Sequence, residues 1–462
     1  MDRARELLAI GRAEDALDRL KALLPRVDDF DQWRVHELFG AAFHDLGDAD
    51  GAAQAYFNAA MTDRYLRAQR QHFSNYLFAL HYLPHVENAE LAREHFTYDN
   101  LFDDIEPLER RNRHRREKIT IGYLAPHFLQ SAAARFFEPL LTRFDRRQFH
   151  ALAFSLSPKS DEFTDAIKNA VDLYDVLDSQ SLDNSARRIS ELGVDILFDL
   201  GGHSEGGITL PLMAYRPAPV QISGIGWFDT TGLGAIDFIL TDDFLSPRGA
   251  ERFFSEKLLR VPHALTFNPT PKMFPRNHRA RAEIVFGCFS NFMKITDEFL
   301  ECAAEILERV PNSRLILQDT TQIPARRRRM LERIEKFLPI ERVDIRLGRD
   351  DFLADYADVD VILDTFPYNG CAMTATALCM NVPVICLRGT RYGSRFGADV
   401  LRAAELEELI AEDRKEYIER AIEVSAHPID ISDRLRGAPL LDTKKFVAEV
   451  EAAYSKLMGE LI

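Results

Sequence analysis

The sequence offers little that could cross-link it or seat a metal. Five cysteines (Cys288, Cys302, Cys371, Cys379 and Cys386) are spread over 462 residues. Their number is odd and no two form a Cys-x-x-Cys pair, which argues against a disulfide framework or a zinc site and fits a reducing cytosol. Cys386 lies in the apolar run VPVICL, where a core position is expected rather than a reactive thiol. No apolar stretch reaches the ~18 residues that a membrane span requires. The charged, interrupted opening MDRARELLAIGRAEDALDRL does not read as a signal peptide, so a cytoplasmic location is expected. A basic excess is missing as well. With 58 Lys and Arg against 73 Asp and Glu, the net charge of −15 argues against a dedicated nucleic-acid binder. It leaves room for a nucleotide, which needs only a few local donors. The last absence is local: residues 365–387 contain no charged side chain, although their order of strand, glycine turn, helix and strand is one that commonly holds an anion.

What is present suffices for several cores. A hydrophobic content of 46% is ordinary for a globular chain, and the length suggests about three domains at ~150 residues each. The first hundred residues are helical and carry a faint repeat. LLAIGRAEDALDRLKALLP and AFHDLGDADGAAQAYFNAA align with Gly11 over Gly47 and Ala16 near Ala53. The spacing of about 36 is close to the ~34 of tetratricopeptide repeats, and small residues at helical spacing let paired helices approach closely. Two copies serve equally as a cap on the next domain or as a docking surface for a partner. The basic stretch ERRNRHRREK at 109–118 reads as a solvated linker, and ARRRRMLERIEKF at 325–337 as the wet face of a helix.

From residue 118 the pattern changes. KITIGYLA, HALAFSLS, VDILFDLGG, PVQISGIGW and IDFILTDD alternate with helical stretches. After TFNPTPKMFPRNHR the alternation restarts with EIVFGCFSN, SRLILQD, VDIRLG, VDVILDTF and VPVICLRG. Continuous apolar strands between amphipathic helices predict parallel sheets covered on both faces, here in two Rossmann-like lobes. The expected organisation is α/β: tetratricopeptide-like helices over 1–64, a helical linker over 65–117, one lobe over 118–275 and a second over 276–462. The final helix is expected to pack back onto the body.

Ligands of doubly wound sheets sit beyond the carboxyl ends of the strands. In the second lobe, Ser290 and Asn291 end one strand, and Lys294 stands just before a helix capped by Thr296 or Asp297. Backbone N–H groups and one lysine there suit a phosphate. The uncharged stretch supplies a second mouth: Asn369-Gly370 make the turn, and the next helix offers its N–H groups with the Thr374 and Thr376 hydroxyls. The loop LRGTRYGSRFGADVL adds Arg391 and Arg395, and together these favour a nucleotide diphosphate without a metal. The other reading is that such turns merely close βα units. In the first lobe His203 follows a buried strand in the glycine-dense loop DLGGHSEGG. An exposed imidazole there is a candidate acid, base or oxygen-holding donor. GYLAPHFLQSAAARFF adds His127, Gln130, Ser131 and Arg135.

These segments resemble the O-linked N-acetylglucosamine transferases and their tetratricopeptide-fused bacterial and plant relatives. The resemblance runs through IGYLAPHF, DLGGHSEG, RPAPVQISGIGWFDTTG, DFILTDDFLSP, FGCFSNFMKITDEFLECAAEILERVPNSRLIL, DVILDTFPYNG, VPVICLRG and SRFGADVL, in that order and over essentially the whole chain. It implies the two-lobed GT-B fold and transfer of a sugar from a nucleotide diphosphate, UDP-linked, to a protein or peptide hydroxyl. No further cofactor is implied, and the acceptor could dock on the amino-terminal helices. Lys294 matches the family's lysine on the diphosphate, Asn291 stands where a glutamine is common, and His203 matches the histidine of a G-H-T segment. Arg349, Phe352, Asn369, Gly370, Thr374, Thr376 and Arg395 are the remaining candidate donor contacts, and His127 is a reserve catalytic group. The chain departs from the family pattern at several positions. Ser131-Ala132 replace a His-Pro pair, and Ala372-Met373-Thr374 stand where a run of threonines is usual. Thr376 occupies an acidic position and Ile208 that of an arginine. An active transferase with an altered donor or acceptor, a non-enzymatic scaffold and a sugar-nucleotide epimerase of the same architecture are the readings that follow.

Overall fold

The apolar runs become strands wherever neighbours cover both their faces. The computed structural model describes residues 1–109, 117–131, 133–274, 283–349 and 351–460. Most of the basic linker and the expected lobe boundary at 275/276 lie outside the described residues. The chain forms two compact units, each assembled from several segments.

One unit comprises Leu66–Phe78, Glu87–Asn268 and the segment from Asp442 onward. Its sheet holds β1 (Ile119–Ala125), β2 (Phe149–Ser155), β3 (Leu173–Val176), β4 (Ile196–Asp199), β5 (Val220–Ser223), β6 (Phe238–Thr241) and β7 (Lys257–Arg260). They pair in the order β3-β2-β1-β4-β5-β6-β7, parallel throughout. The winding reverses between β1 and β4, which marks a crevice beyond their carboxyl ends. The helix Thr443–Glu460 belongs to this unit and buries Phe446, Val447, Val450, Tyr454 and Leu457 at helical spacing. It is tied there by Arg143 Nη1 donating to Thr443 Oγ1 at 2.5 Å and by the Asp145 amide donating to Glu451 Oε1 at 2.7 Å.

The other unit comprises Met1–Tyr65, Ala79–Val86 and Pro269–Leu441. Its sheet holds β8 (Ile284–Phe289), β9 (Ser313–Gln318), β10 (Val343–Arg346), β11 (Val361–Leu363), β12 (Val384–Leu387) and β13 (Ile410–Ala411), in the order β10-β9-β8-β11-β12-β13. All pairs are parallel, and the reversal falls between β8 and β11. Cys386 is fully buried in β12, the expected core position. The strands not read from the sequence are β3, β7 and β13. The first two are partly exposed edges without a continuous apolar run, and β13 is only two residues long.

The amino-terminal repeat is two helical hairpins, α1 (Asp2–Ala9) with α2 (Ala13–Leu23) and α3 (Gln32–Leu46) with α4 (Ala49–Thr62). Gly11 and Gly47 take left-handed φ of 72° and 76° in equivalent turns, which an L-residue would resist. Asp48 then caps α4 by accepting from the Gly51 amide at 2.9 Å. The hairpin core continues onto Ala325, with Ile323 packed beside it. Here one expectation needs correcting. Of the four consecutive arginines, Arg327, Arg328 and Arg329 are exposed, but Arg326 is only 1% exposed and lies inside the fold.

Candidate functional site

Both reversal points bring two strand ends together, and each gathers a set of the expected residues. At the β8/β11 crevice, Asn291 caps a tight 3-10 turn over Phe292–Lys294. Its Oδ1 accepts from the Met293 amide at 3.0 Å. The following helix, Asp297–Arg309, is capped by Thr296, whose Oγ1 accepts from the Phe299 amide at 3.1 Å. Lys294 is thus presented between two capped elements. Its Nζ donates to the Asn369 carbonyl at 2.9 Å and sits 3.5 Å from the centre of the Tyr368 ring. The Tyr82 ring packs against Tyr368 at 5.4 Å. Burial lowers the Lys294 ammonium to about 8, and the Asp364 carboxylate acts in the opposite sense. The lysine and the Asn369-Gly370 turn are therefore neighbours.

The donors of that turn are less available than expected. Asp364, the last acid before the uncharged stretch, turns inward. Its Oδ1 accepts from the Thr365 amide at 2.9 Å and from the Gly370 amide at 2.7 Å, and its Oδ2 from Thr374 Oγ1 at 3.4 Å. Thr376 Oγ1 bonds back to the Ala372 carbonyl at 2.7 Å, one helical turn behind. Gly370, Thr374 and Thr376 were expected to face a ligand; in this conformation they serve the turn and the helix Ala372–Cys379 instead. Burial raises the Asp364 carboxyl to about 6, against the lowering effect of the Gly370 amide. Asn369 is buried, with its Nδ2 donating to the Thr365 and Leu387 carbonyls at 2.8 and 3.3 Å.

The other candidates of this unit divide. Arg349 grips Asp355 in bidentate fashion, Nε to Oδ2 at 2.8 Å and Nη2 to Oδ1 at 2.5 Å, so its fork is spent on a buried carboxylate. Phe352 opens the 3-10 turn Phe352–Asp358. Tyr356 of that turn reaches the Met373 carbonyl at 3.3 Å and packs on Phe289 at 4.8 Å, which places the turn against the same strand ends. Arg395 Nη1 donates to the Gly389 carbonyl at 3.2 Å. Arg391 is buried and donates to the Leu83 and Val86 carbonyls at 2.9 and 3.3 Å, fastening the segment that carries Tyr82.

At the β1/β4 crevice the expectation of an exposed His203 fails. The ring is fully buried, walled by Tyr98, Trp227 and His95 at 4.7, 5.0 and 5.3 Å. Its Nε2 meets the Thr231 carbonyl at 2.8 Å, so that nitrogen carries the proton, and its Nδ1 accepts from the Ser74 hydroxyl at 2.9 Å. Burial holds the imidazole well below its ordinary pKa, with His95 adding to the effect. A neutral ring with both nitrogens bonded cannot take an acceptor's proton here. His127 is better disposed. It is partly buried, its Nδ1 accepts from the Leu129 amide at 3.3 Å, and its Nε2 therefore donates to Glu205 Oε1 at 2.6 Å. Glu205 lies in the loop after β4 at a left-handed φ of 50°, an uncommon conformation for a non-glycine residue. Among the described residues no cluster of three or more His, Cys, Asp or Glu is arranged to hold a metal.

The signature of glycosyl transferase family 41 matches residues 104–283 and 276–437, which together make up more than half of the chain. The chain belongs to glycosyl transferase family 41. Among curated relatives, the tomato (Solanum lycopersicum) protein described as a probable UDP-N-acetylglucosamine–peptide N-acetylglucosaminyltransferase SPINDLY is 30% identical over 410 residues. That alignment covers 83% of this chain and 44% of the relative. The Arabidopsis thaliana protein of the same description is 30% identical over 393 residues, covering 80% and 41%. This family 41 chain thus spans less than half the length of those relatives. Among solved structures, a mutant O-GlcNAc transferase from Thermobaculum terrenum superposes with a TM-score of 0.88 at 27% identity, covering 98% of this chain and 89% of that one. The two-sheet architecture with helical hairpins in front is accordingly a GT-B fold with tetratricopeptide-like helices.

Sequence reasoning missed several residues that shape these two crevices. Asp364 stands at the edge of the uncharged stretch and could have been noticed as the one acid able to fold back on the turn. Tyr368 and Tyr82 gave no signal, since the ring over Lys294 lies 74 residues beyond it (368 − 294) and the ring backing it 286 residues before Tyr368 (368 − 82). Glu205 was legible only as part of a loop, and its pairing with His127 arises from the adjacency of β1 and β4.

Proposed function

We propose that the chain is a glycosyltransferase that moves a sugar from a UDP-linked donor, UDP-N-acetylglucosamine or a variant of it, to a protein hydroxyl with inversion. The observation that carries this reading is the placement of Lys294. A partly buried amine on a capped turn at the β8/β11 reversal, beside the Asn369-Gly370 turn, is disposed to meet a departing diphosphate. As the acceptor oxygen forms its bond to the anomeric carbon and the bond to the diphosphate breaks, negative charge grows on the leaving oxygens. Lys294 would stabilise that charge, and the diphosphate would in turn favour the charged lysine. The acceptor's proton needs a second group. We assign it to His127, which unlike His203 is only partly buried and can take it on Nδ1 by giving up its 3.3 Å contact with the Leu129 amide, while Glu205 holds Nε2–H, the division of labour that orients an imidazole in hydrolytic triads.

The test is intact-mass analysis of candidate acceptors co-expressed with the chain or with Lys294→Met. A mass increase of one sugar that the substitution abolishes is the expected result, and an increase that survives it unchanged overturns the assignment. The engagement of Gly370, Thr374 and Thr376 by the protein itself favours a second reading, a scaffold that has kept the fold. Calorimetric silence toward UDP and a panel of nucleotide sugars would select it.

A further inference from the structure

We propose that Arg326 is a positioning residue through which the amino-terminal helices set the turn that carries Lys294. The inference rests on the role given to Lys294 above. It begins with a guanidinium whose burial needs a reason. Arg326 is 1% exposed at the start of the helix Pro324–Ile334, directly after Ala325, which is part of the hairpin core. A buried charge of this kind persists only where its donors are largely matched; here Nη1 and Nη2 are bonded while Nε is buried without a partner among the described residues.

The fork points two ways. Nη2 donates to the His44 carbonyl at 2.6 Å, in the last turn of α3, adding to the bond that this carbonyl accepts from the Gly47 amide at 3.0 Å where the helix ends in a left-handed turn. Nη1 donates to Asn291 Oδ1 at 2.9 Å and to Thr321 Oγ1 at 3.3 Å. The counter-charge is Asp319, fully buried beyond the end of β9, with Oδ2 3.7 Å from Nη1. Asp319 Oδ1 accepts from the Phe292 amide at 3.3 Å, and Asn291 Oδ1 from the Met293 amide at 3.0 Å. The two amides at the head of the Phe292–Lys294 turn are therefore held by two of the three side chains that Arg326 engages through Nη1. One planar cation caps a helix of the front hairpin and fixes the turn ending at Lys294. A lysine could serve either direction but not both, because a single ammonium lacks the spread of a guanidinium.

Two variants test this in the full chain. Arg326→Lys keeps a charge opposite Asp319 and so preserves the fold. The double variant Arg326→Met with Asp319→Asn removes both charges, so neither is left buried alone. Competitive acylation of amines across a pH series, read by mass spectrometry, gives the titration midpoint of Lys294, and calorimetry gives the affinity for UDP. A loosened turn admits water to the amine. The midpoint should then rise by about one unit or more from about 8, and UDP should bind about tenfold more weakly. If both variants are folded, melt at lower temperature and yet leave the Lys294 midpoint unchanged, Arg326 merely braces the helices and the proposal is overturned. Absence of UDP binding by the unaltered chain would count against the donor reading alone, since the Lys294 midpoint still decides the coupling.

Discussion

Lys294 combines a functional assignment with a cost to folding. Its ammonium titrates at about 8 in the folded chain against 10.5 for an ordinary lysine. The unfolded chain therefore binds more protons between those values, and stability rises with pH across that window. Below pH 8 the lysine is charged in both states, and its desolvation costs at most about 3 kcal/mol. Lys294→Met should accordingly be more stable than the unaltered chain at pH 7, with the gain shrinking toward pH 10.5; urea melts at pH 7 and pH 10 measure the difference. His203 makes the opposite case. Its folded pKa is depressed, so the unfolded chain takes up the extra proton below about 6.5 and stability from this group is lost as pH falls. His203→Gln should flatten that decline, and it should lower stability at pH 7 by roughly 1–3 kcal/mol through the Ser74 and Thr231 partners it leaves unmatched. It should leave the pH profile of turnover in place. Glu205→Gln should do the reverse: stability nearly unchanged, because the pair is partly exposed, and kcat down about tenfold or more.

At the scale of elements, the turn after β11 shows what a sequence can and cannot disclose. Strand, glycine turn and helix were legible because each has a local cause: a continuous apolar run, a residue tolerant of crowding, and small helix-compatible side chains. Which acceptor the Gly370 amide chooses has no local cause. A Cβ on Gly370 would lie 2.8 Å from Thr374 Oγ1 and 2.9 Å from Asp364 Oδ1, so the turn closes only without one. Gly370→Ala should cost about 1–3 kcal/mol by overpacking, visible as a lower thermal midpoint, and should weaken nucleotide binding along with it. The same limit explains Arg326. Composition and spacing assign four successive arginines to solvent, and only the arrival of α3 beside the helix Pro324–Ile334 singles one out. That the candidate residues would lie at the carboxyl ends of parallel strands was foreseeable from the alternation of strands and helices; the strand order, and so the place of each reversal, was not. The inward turn of His203 was not, because Ser74 and Tyr98, which help to enclose it, come from helical segments that the sequence reading treated as linker.

Across the whole molecule, the path of the chain has a consequence for anyone who cuts it. The backbone passes from one compact unit to the other after Tyr65, Phe78, Val86, Asn268 and Leu441. No single scission yields one unit per fragment. A protease site engineered at Asn268-Pro269 would leave the amino-terminal piece holding the helical hairpins that pack with the second sheet. The carboxy-terminal piece would hold the helix Thr443–Glu460 that packs with the first. Each piece thus supplies a part that the other's unit needs, and the two should co-elute as one species in gel filtration after complete cleavage, separating only in denaturant.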